Sequence, residues 1–265
     1  SIEAREEERG GKLIDRSGRQ NTLTAYGRQV VAGAQRVLFE TRELRRGVDL
    51  LRSGELGSIR IGYGSGPAAV LEIAFFRHMA EHHPQVRVEA ARGATSLLIQ
   101  SLRSEQVEIV VVDRRALADA DDLEVEPLPA LRGGFLCRAG HPALQESPVD
   151  LATLRRYANA ATPLSPEVGR SLAELLGAEA HPERLMTMVS QDIRALLEVV
   201  ATTDTIFFGI LAAAKAQLAA GHLVEIATQP PVNLYGQFAM VSLARRTESP
   251  ACKLFRDFVR QNFHD

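Results

Sequence analysis

The chain has 265 residues, 45% of them hydrophobic and 24% charged, with no Trp and a formal net charge of -2. That balance excludes a fibrous or disordered chain and one coated in positive charge, while the length exceeds one typical domain and predicts two packing units. No apolar run approaches the 18 or so residues of a membrane span, and the first residues, SIEAREEERGGK, are charged rather than signal-like, so a cytoplasmic protein is expected.

The head of the chain is slightly basic. Residues 1–56 carry 11 basic and 9 acidic side chains, and from Arg16 to Arg28 there are three arginines (Arg16, Arg19, Arg28) and no acid. A short basic stretch is a weak signal by itself, since a solvated loop looks the same. After Thr24, Gly27, Val30, Ala34, Val37, Thr41, Leu44, Val48 and Leu51 recur at alternating spacings of three and four. A 3.5-residue repeat keeps one narrow stripe facing a partner helix, which predicts a long helix that pairs with a second copy. Thr24 is the expected N-cap and Ser53-Gly54 the stop.

From Ser58 the period changes. SIRIGYG reads as strand, PAAVLEIAFFRHMAEHHP as helix, QVRVEAARG as strand, SLLIQSLRSEQ as helix, and VEIVVVD and LEVEPLPA as strands. The uninterrupted apolar strand at 109–112 implies a parallel sheet with helices on both faces. The second half alternates likewise: strands GGFLCRA, NAATPL, ERLMTMV, TIFFG and HLVEI, with helices VDLATLRRYA, EVGRSLAELLGA, QDIRALLEVVAT and ILAAAKAQLAAG between them. A strand YGQFAMVSLAR and a helix PACKLFRDFVRQNF close the chain. If these return to the first lobe, two crossovers fall near Leu128 to Arg132 and Leu234 to Phe238. A hinged two-lobe body holds its ligand between lobes, at strand C-termini and helix N-termini.

Catalytic and metal signatures are absent: there is no GxSxG, HExxH or GxxxxGK[ST] pattern. His78 and His82 stand four apart with His83 adjacent, but no convergent Cys or carboxylate supports zinc, and helix-end capping is the simpler reading. Cys137 and Cys252 have no metal spacing and read as packing residues. Ser65, Gly66, Thr95, Ser96, Thr162, Ser165, Ser190 and Gln191 each fall at a strand-to-helix junction. Each alone reads as an N-cap; their recurrence, with free N–H groups beside hydroxyls, suits a carboxylate or another small anion in the cleft. Phe207 and Phe208 read as core.

Three segments together resemble the LysR-type transcriptional regulators of bacteria. IEAREEERGGKLIDRSGRQNTLTAYGR resembles the end of that family's recognition helix, its wing and the Leu-Thr-x-x-Gly opening of its linker helix (Leu23, Thr24, Gly27). IRIGYG and FRHMAEHHPQVRVEAARGATSLLIQSL are similar to its first effector-domain strand and helix, and EPLPALRGGFLCRAGHPAL to its crossover and His-Pro turn (His141, Pro142). Departures are Arg5 and Arg9, where leucines are usual, and TDTIFFGIL, which lacks the usual Gly-x-Gly-Ile. The resemblance implies an α/β, two-lobed, periplasmic-binding-protein-like effector domain, preceded by a linker helix and the remnant of a winged helix-turn-helix. The segments would be 1–23 (partial winged helix-turn-helix), 24–56 (linker helix) and 57–265 (effector domain, lobe I 57–131 and 238–265, lobe II 132–237). It also implies promoter DNA as partner through Arg16 and Arg19, a small-molecule effector, and self-association as a dimer through Val30, Ala34, Val37, Thr41, Leu44, Val48 and Leu51, with tetramers expected. No cofactor, metal or membrane is implied. A stand-alone solute-binding protein or an enzyme on the same fold is the alternative, because fold does not fix function.

Overall fold

The computed structural model describes residues 12–15, 21–31, 33, 34, 37, 41, 57–118, 120–146, 148–244 and 246–265. Arg5, Arg9, Arg16, Arg19, Leu44, Val48 and Leu51 lie outside the described residues, as does the expected stop at Ser53-Gly54. The chain divides into two units, 1–55 and 56–265.

In the first unit, β1 (Ile14–Asp15) pairs antiparallel with β2 (Thr22–Leu23). Helix α1 follows, described as helical at 25–31, 33, 34, 37 and 41. Thr24 caps it as expected: its Oγ1 accepts from Gly27 N–H at 2.8 Å, and its hydroxyl donates to the Lys12 carbonyl at 2.6 Å. Gly27 is buried, and a Cβ there would stand 2.0 Å from the Leu13 carbonyl oxygen. Its place in the repeat is therefore explained by close approach to β1, with no need for a partner helix. Farther along, Val37 is 66% exposed.

The second unit holds two sheets. The first has the order β4-β3-β5-β13-β6, from β3 (Ser58–Tyr63), β4 (Arg87–Arg92), β5 (Ile109–Asp113), β6 (Leu123–Pro127) and β13 (Phe238–Leu243). The second has the order β11-β7-β10-β8-β9, from β7 (Leu131–Arg138), β8 (Asn159–Ala161), β9 (Met188–Val189), β10 (Ile206–Ile210) and β11 (Leu223–Ile226), with β12 (Leu234–Gly236) also on β7. We call the bodies built on these sheets lobe I and lobe II. The all-parallel expectation fails in part: β3 runs parallel to β4 and β5, and β8 to β9 and β10, but β13 is antiparallel to β5 and β6, and β7 to β10. Antiparallel partners enter wherever the chain returns from the other lobe.

Side-chain alternation builds the cores. In β7 and β10, Phe135, Cys137, Ile206 and Phe208 face one cluster while Leu136 and Phe207 face the other, so both faces of this sheet are covered and the strands read as unbroken apolar runs. In lobe I, the final helix, Pro250–Asn262, sets Phe255 edge-on to Tyr63 and Phe75, with ring centroids 5.9 and 4.9 Å apart.

Two expected strands differ. ERLMTMV begins as a short helix, Pro182–Leu185, because Pro182 occupies the first helical position, and only Met188–Val189 pairs as strand. YGQFAMVSLAR is two strands in different sheets: β12 ends at Gly236 in lobe II and β13 starts at Phe238 in lobe I. Gln237 carries the return crossover, where its carbonyl accepts from Arg114 N–H at 2.9 Å. The other crossover spans 128–130, between β6 and β7.

Candidate functional site

Where strands of the two sheets end, helices begin and face one another. Helix α2 starts at Ser65 and runs as Ser65–Pro67, a π-helical stretch Ala68–Glu72 and Ile73–His82. Helix α3 is Thr95–Arg103, α5 is Pro166–Leu176 and α7 is Ile193–Thr202, α4 being the short Leu151–Leu154 and α6 Pro182–Leu185. Between them lies a cavity of about 360 Å³, at the small end of the range for metabolite sites.

Seven of the eight junction residues singled out from the sequence line this cavity: Ser65, Gly66, Thr95, Ser96, Thr162, Ser165 and Gln191. Ser190 is not among the lining residues; its Oγ accepts from Asp192 N–H at 3.1 Å. Gly66 is closely approached from lobe II, since a Cβ there would stand 3.1 Å from Ile210 Cδ1. Ile193, Phe208, Ile210, Leu234 and Phe238 supply apolar wall. Phe208 is thus both buried and cavity-lining, whereas Phe207 packs wholly in the core on the opposite face of β10.

The helix starts differ between lobes. In lobe II, Ser165 Oγ accepts from Val168 N–H at 3.4 Å, and Asp192 Oδ1 accepts from Arg194 and Ala195 N–H at 3.0 and 3.3 Å. In lobe I the residues before α2 and α3 are Gly64 and Ala94, and neither start has a side-chain cap. First-turn N–H groups have no partner within their own helix, so the lobe I starts present donors and partial positive charge toward the cavity. Such a pair of starts suits an oxyanion.

Sequence reasoning missed the charged lining residues, Asp113 and Arg115. Arg115 Nη2 donates to the Tyr235 carbonyl of lobe II at 2.9 Å, and Asp113 Oδ1 accepts from Arg115 N–H, also at 2.9 Å. Glu167, in the first turn of α5, is not among the lining residues. A hydrogen bond from its own backbone N–H, then the Ser165 hydroxyl and the charges of Arg170 and Arg115, hold its carboxyl below the usual carboxylate range. The available signal was position: Asp113 ends a buried parallel strand, the place where α/β sheets open their clefts.

The three helix-end histidines do not reach the cavity. His78 and His82 stack at 4.6 Å, and His82 Nδ1 lies 3.0 Å from the His78 carbonyl. Among the described residues no helix is long and apolar enough to cross a membrane.

Residues 52–264 match the LysR substrate binding domain. The chain is similar to the SDS degradation transcriptional activation protein of Pseudomonas sp. (strain ATCC 19151), at 34% identity covering 98% of this chain and 84% of that protein. It is also similar to the HTH-type transcriptional regulator GbpR of Azospirillum brasilense, at 25% identity over 88% of this chain and 69% of that one. Among solved structures it resembles CrgA, a LysR-type transcriptional regulator from Neisseria meningitidis, with a TM-score of 0.63 and 17% identity, covering 98% of this chain and 86% of that one.

Proposed function

The chain belongs to the LysR-type transcriptional regulators, and from that premise we propose that it senses a small anion with an apolar body in the cleft between its lobes and answers by changing its hold on promoter DNA. One observation carries the ligand class: two uncapped helix starts of lobe I and the apolar side chains Ile193, Phe208 and Ile210 of lobe II line one cavity. Donors for an oxyanion on one side and an oily wall on the other describe an amphipathic molecule. The Pseudomonas relative is named for SDS degradation, so short alkyl sulfates and aliphatic carboxylates are the first compounds to screen.

A ligand that prefers one lobe arrangement biases the protein toward it, and a paired helix would pass that bias to the DNA-binding heads. The exposed Val37 and the exposed Ala34 and Thr41 favour α1 as the pairing element, with the described Val30 half-buried. Arg16 and Arg19 would contact phosphate or minor groove, and the work would be done in the cytoplasm, where promoter DNA is. The relatives named above are regulators, which favours this reading over an enzyme or a stand-alone solute-binding protein on the same fold.

The experiment is a gel-shift titration of the intact regulator on its own upstream region, paired with thermal melting against the screen. A metabolite that raises the melting temperature should also change the shifted fraction or its mobility. No shift at low salt, with or without ligands, overturns the DNA arm; a full screen without any stabilising compound overturns the sensing arm.

A further inference from the structure

We propose that Arg115 is the residue through which this cleft reads the charge of its ligand, which selects a monoanion, a carboxylate or a sulfate ester, over neutral and zwitterionic molecules of the same shape. The proposal rests on the cleft being the ligand site and adds the residue that sets its selectivity.

Among the described lining residues, only Asp113 and Arg115 are charged; the other polar ones carry hydroxyls or an amide, which can bond an oxygen without reading its charge. Charge selection therefore falls to this pair. Its two members are in different states. Asp113 Oδ1 accepts from the Arg115 backbone N–H at 2.9 Å. The Arg115 guanidinium gives Nη2 to the Tyr235 carbonyl at 2.9 Å, but its Nε is buried and has no hydrogen-bond partner. The nearest acceptor charge, Asp113 Oδ1, stands 3.6 Å from Nε, too far for a hydrogen bond.

Nε is covered and faces the Asp113 carboxylate, so a ligand oxygen would meet this guanidinium through its outer nitrogens, of which Nη2 is engaged by Tyr235. The planar guanidinium takes a carboxylate or sulfate edge in a way an ammonium cannot. The uncapped starts of α2 and α3 add field of the same sign in the same cavity. Asp113 already pairs with Arg115 at 3.6 Å, so a zwitterion's ammonium would have to share that carboxylate, whereas a monoanion leaves the pair undisturbed.

The test is calorimetric titration of the intact protein with a matched six-carbon series: hexanoate, hexyl sulfate, hexanol, hexylamine and norleucine. The wild type should bind the two monoanions about tenfold or more tighter than the rest, the ratio expected of one hydrogen bond to a charged group. Arg115→Gln should erase that preference while leaving the melting temperature of the free protein close to wild type. Arg115→Lys, which keeps the charge without the fork, should recover only part of it. Asp113→Asn keeps an acceptor for the Arg115 N–H but removes the competing charge, and should tighten anion binding severalfold.

An anion preference that survives Arg115→Gln overturns the proposal, as does norleucine binding tighter than hexanoate. Hexanol binding as well as hexanoate overturns it while leaving the cleft as the ligand site. A wild type that binds no member of the series also overturns it, and the cleft is then judged separately by the wider screen.

Discussion

Arg92 Nη1 lies 3.8 Å from Asp192 Oδ1, an ion pair that joins lobe I to lobe II. Arg92 ends β4 and is already gripped by Glu72 of α2, to which its Nε donates at 2.8 Å. Asp192 is at the same time the N-cap of α7. Were the lobes to approach at this point, the pair would come into hydrogen-bond range and would act as a weak catch. Asp192→Asn separates the two roles, because Asn caps a helix about as well as Asp while carrying no charge. Spin labels on the two lobes of the ligand-free protein should show a wider or broader distance distribution in Asp192→Asn, and 0.5 M salt should have the same effect on the wild type. Both partners are substantially exposed, so the melting free energy should change by less than about 1 kcal/mol. Identical distributions in wild type and variant at low salt would contradict a catch.

Gly27→Ala should disturb the junction of β1 and α1. The new methyl would stand 2.0 Å from the Leu13 carbonyl oxygen, and backbone cannot yield cheaply. The expected cost is roughly 1–3 kcal/mol, on the scale of overpacking. Hydrogen exchange at Thr24 and Arg28 should accelerate, since their N–H groups donate to Leu13 and Thr24 carbonyls. Unchanged exchange would refute the close approach.

His141→Ala should destabilise lobe II. The ring is buried, its Nδ1 accepts from Ala143 N–H at 3.0 Å, and its Nε2 lies 3.1 Å from the Asp204 carbonyl. Losing both bonds and the contact with Tyr157 should cost about 2–4 kcal/mol in urea unfolding. His141→Gln, which keeps one acceptor, should cost less.

Stability should fall in acid. Burial raises the Glu126 carboxyl, but hydrogen bonds from Arg260 and Arg256 outweigh it and hold the group below its usual value; Arg103 does the same for Asp122. A carboxylate depressed in the folded state stabilises at pH above its unfolded value and loses that contribution as pH falls through the folded one. The urea midpoint should therefore be steady from pH 7 to about 5 and decline below about 4. Glu126→Gln should flatten the decline; an unaltered profile would remove Glu126 from the cause.

Neither thiol should react in the folded protein. Burial pushes Cys137 up to about 11 and Cys252 up to about 12, so thiolate is scarce at pH 8. A thiol reagent should label both residues only on unfolding, and rapid native labelling of either would contradict their burial.

Much of this was legible before the structure. Alternation and helical period located most elements of 57–265, and the junction hydroxyls pointed to the cavity because strand ends and helix starts cluster there by topology. What failed was information that local pattern does not hold. YGQFAMVSLAR alternates without a break across Gln237, yet the two halves pair with different sheets. ERLMTMV has strand-like spacing, but Pro182 starts a helix. Ser190 is a neighbour of the cavity residue Gln191 and is turned to the Asp192 backbone instead. Arg115 sat in an unremarked Asp-Arg-Arg run, and only the fold shows which of the two arginines reaches the cleft.

The claim that the cleft governs DNA binding is tested most directly by footprinting the intact regulator on its upstream region with and without a compound that raises its melting temperature. The protected pattern should shift for the wild type and fail to shift for Arg115→Gln at the same ligand concentration. A pattern that stays the same although calorimetry shows the cleft occupied would mean that ligand in this cavity does not reach the DNA.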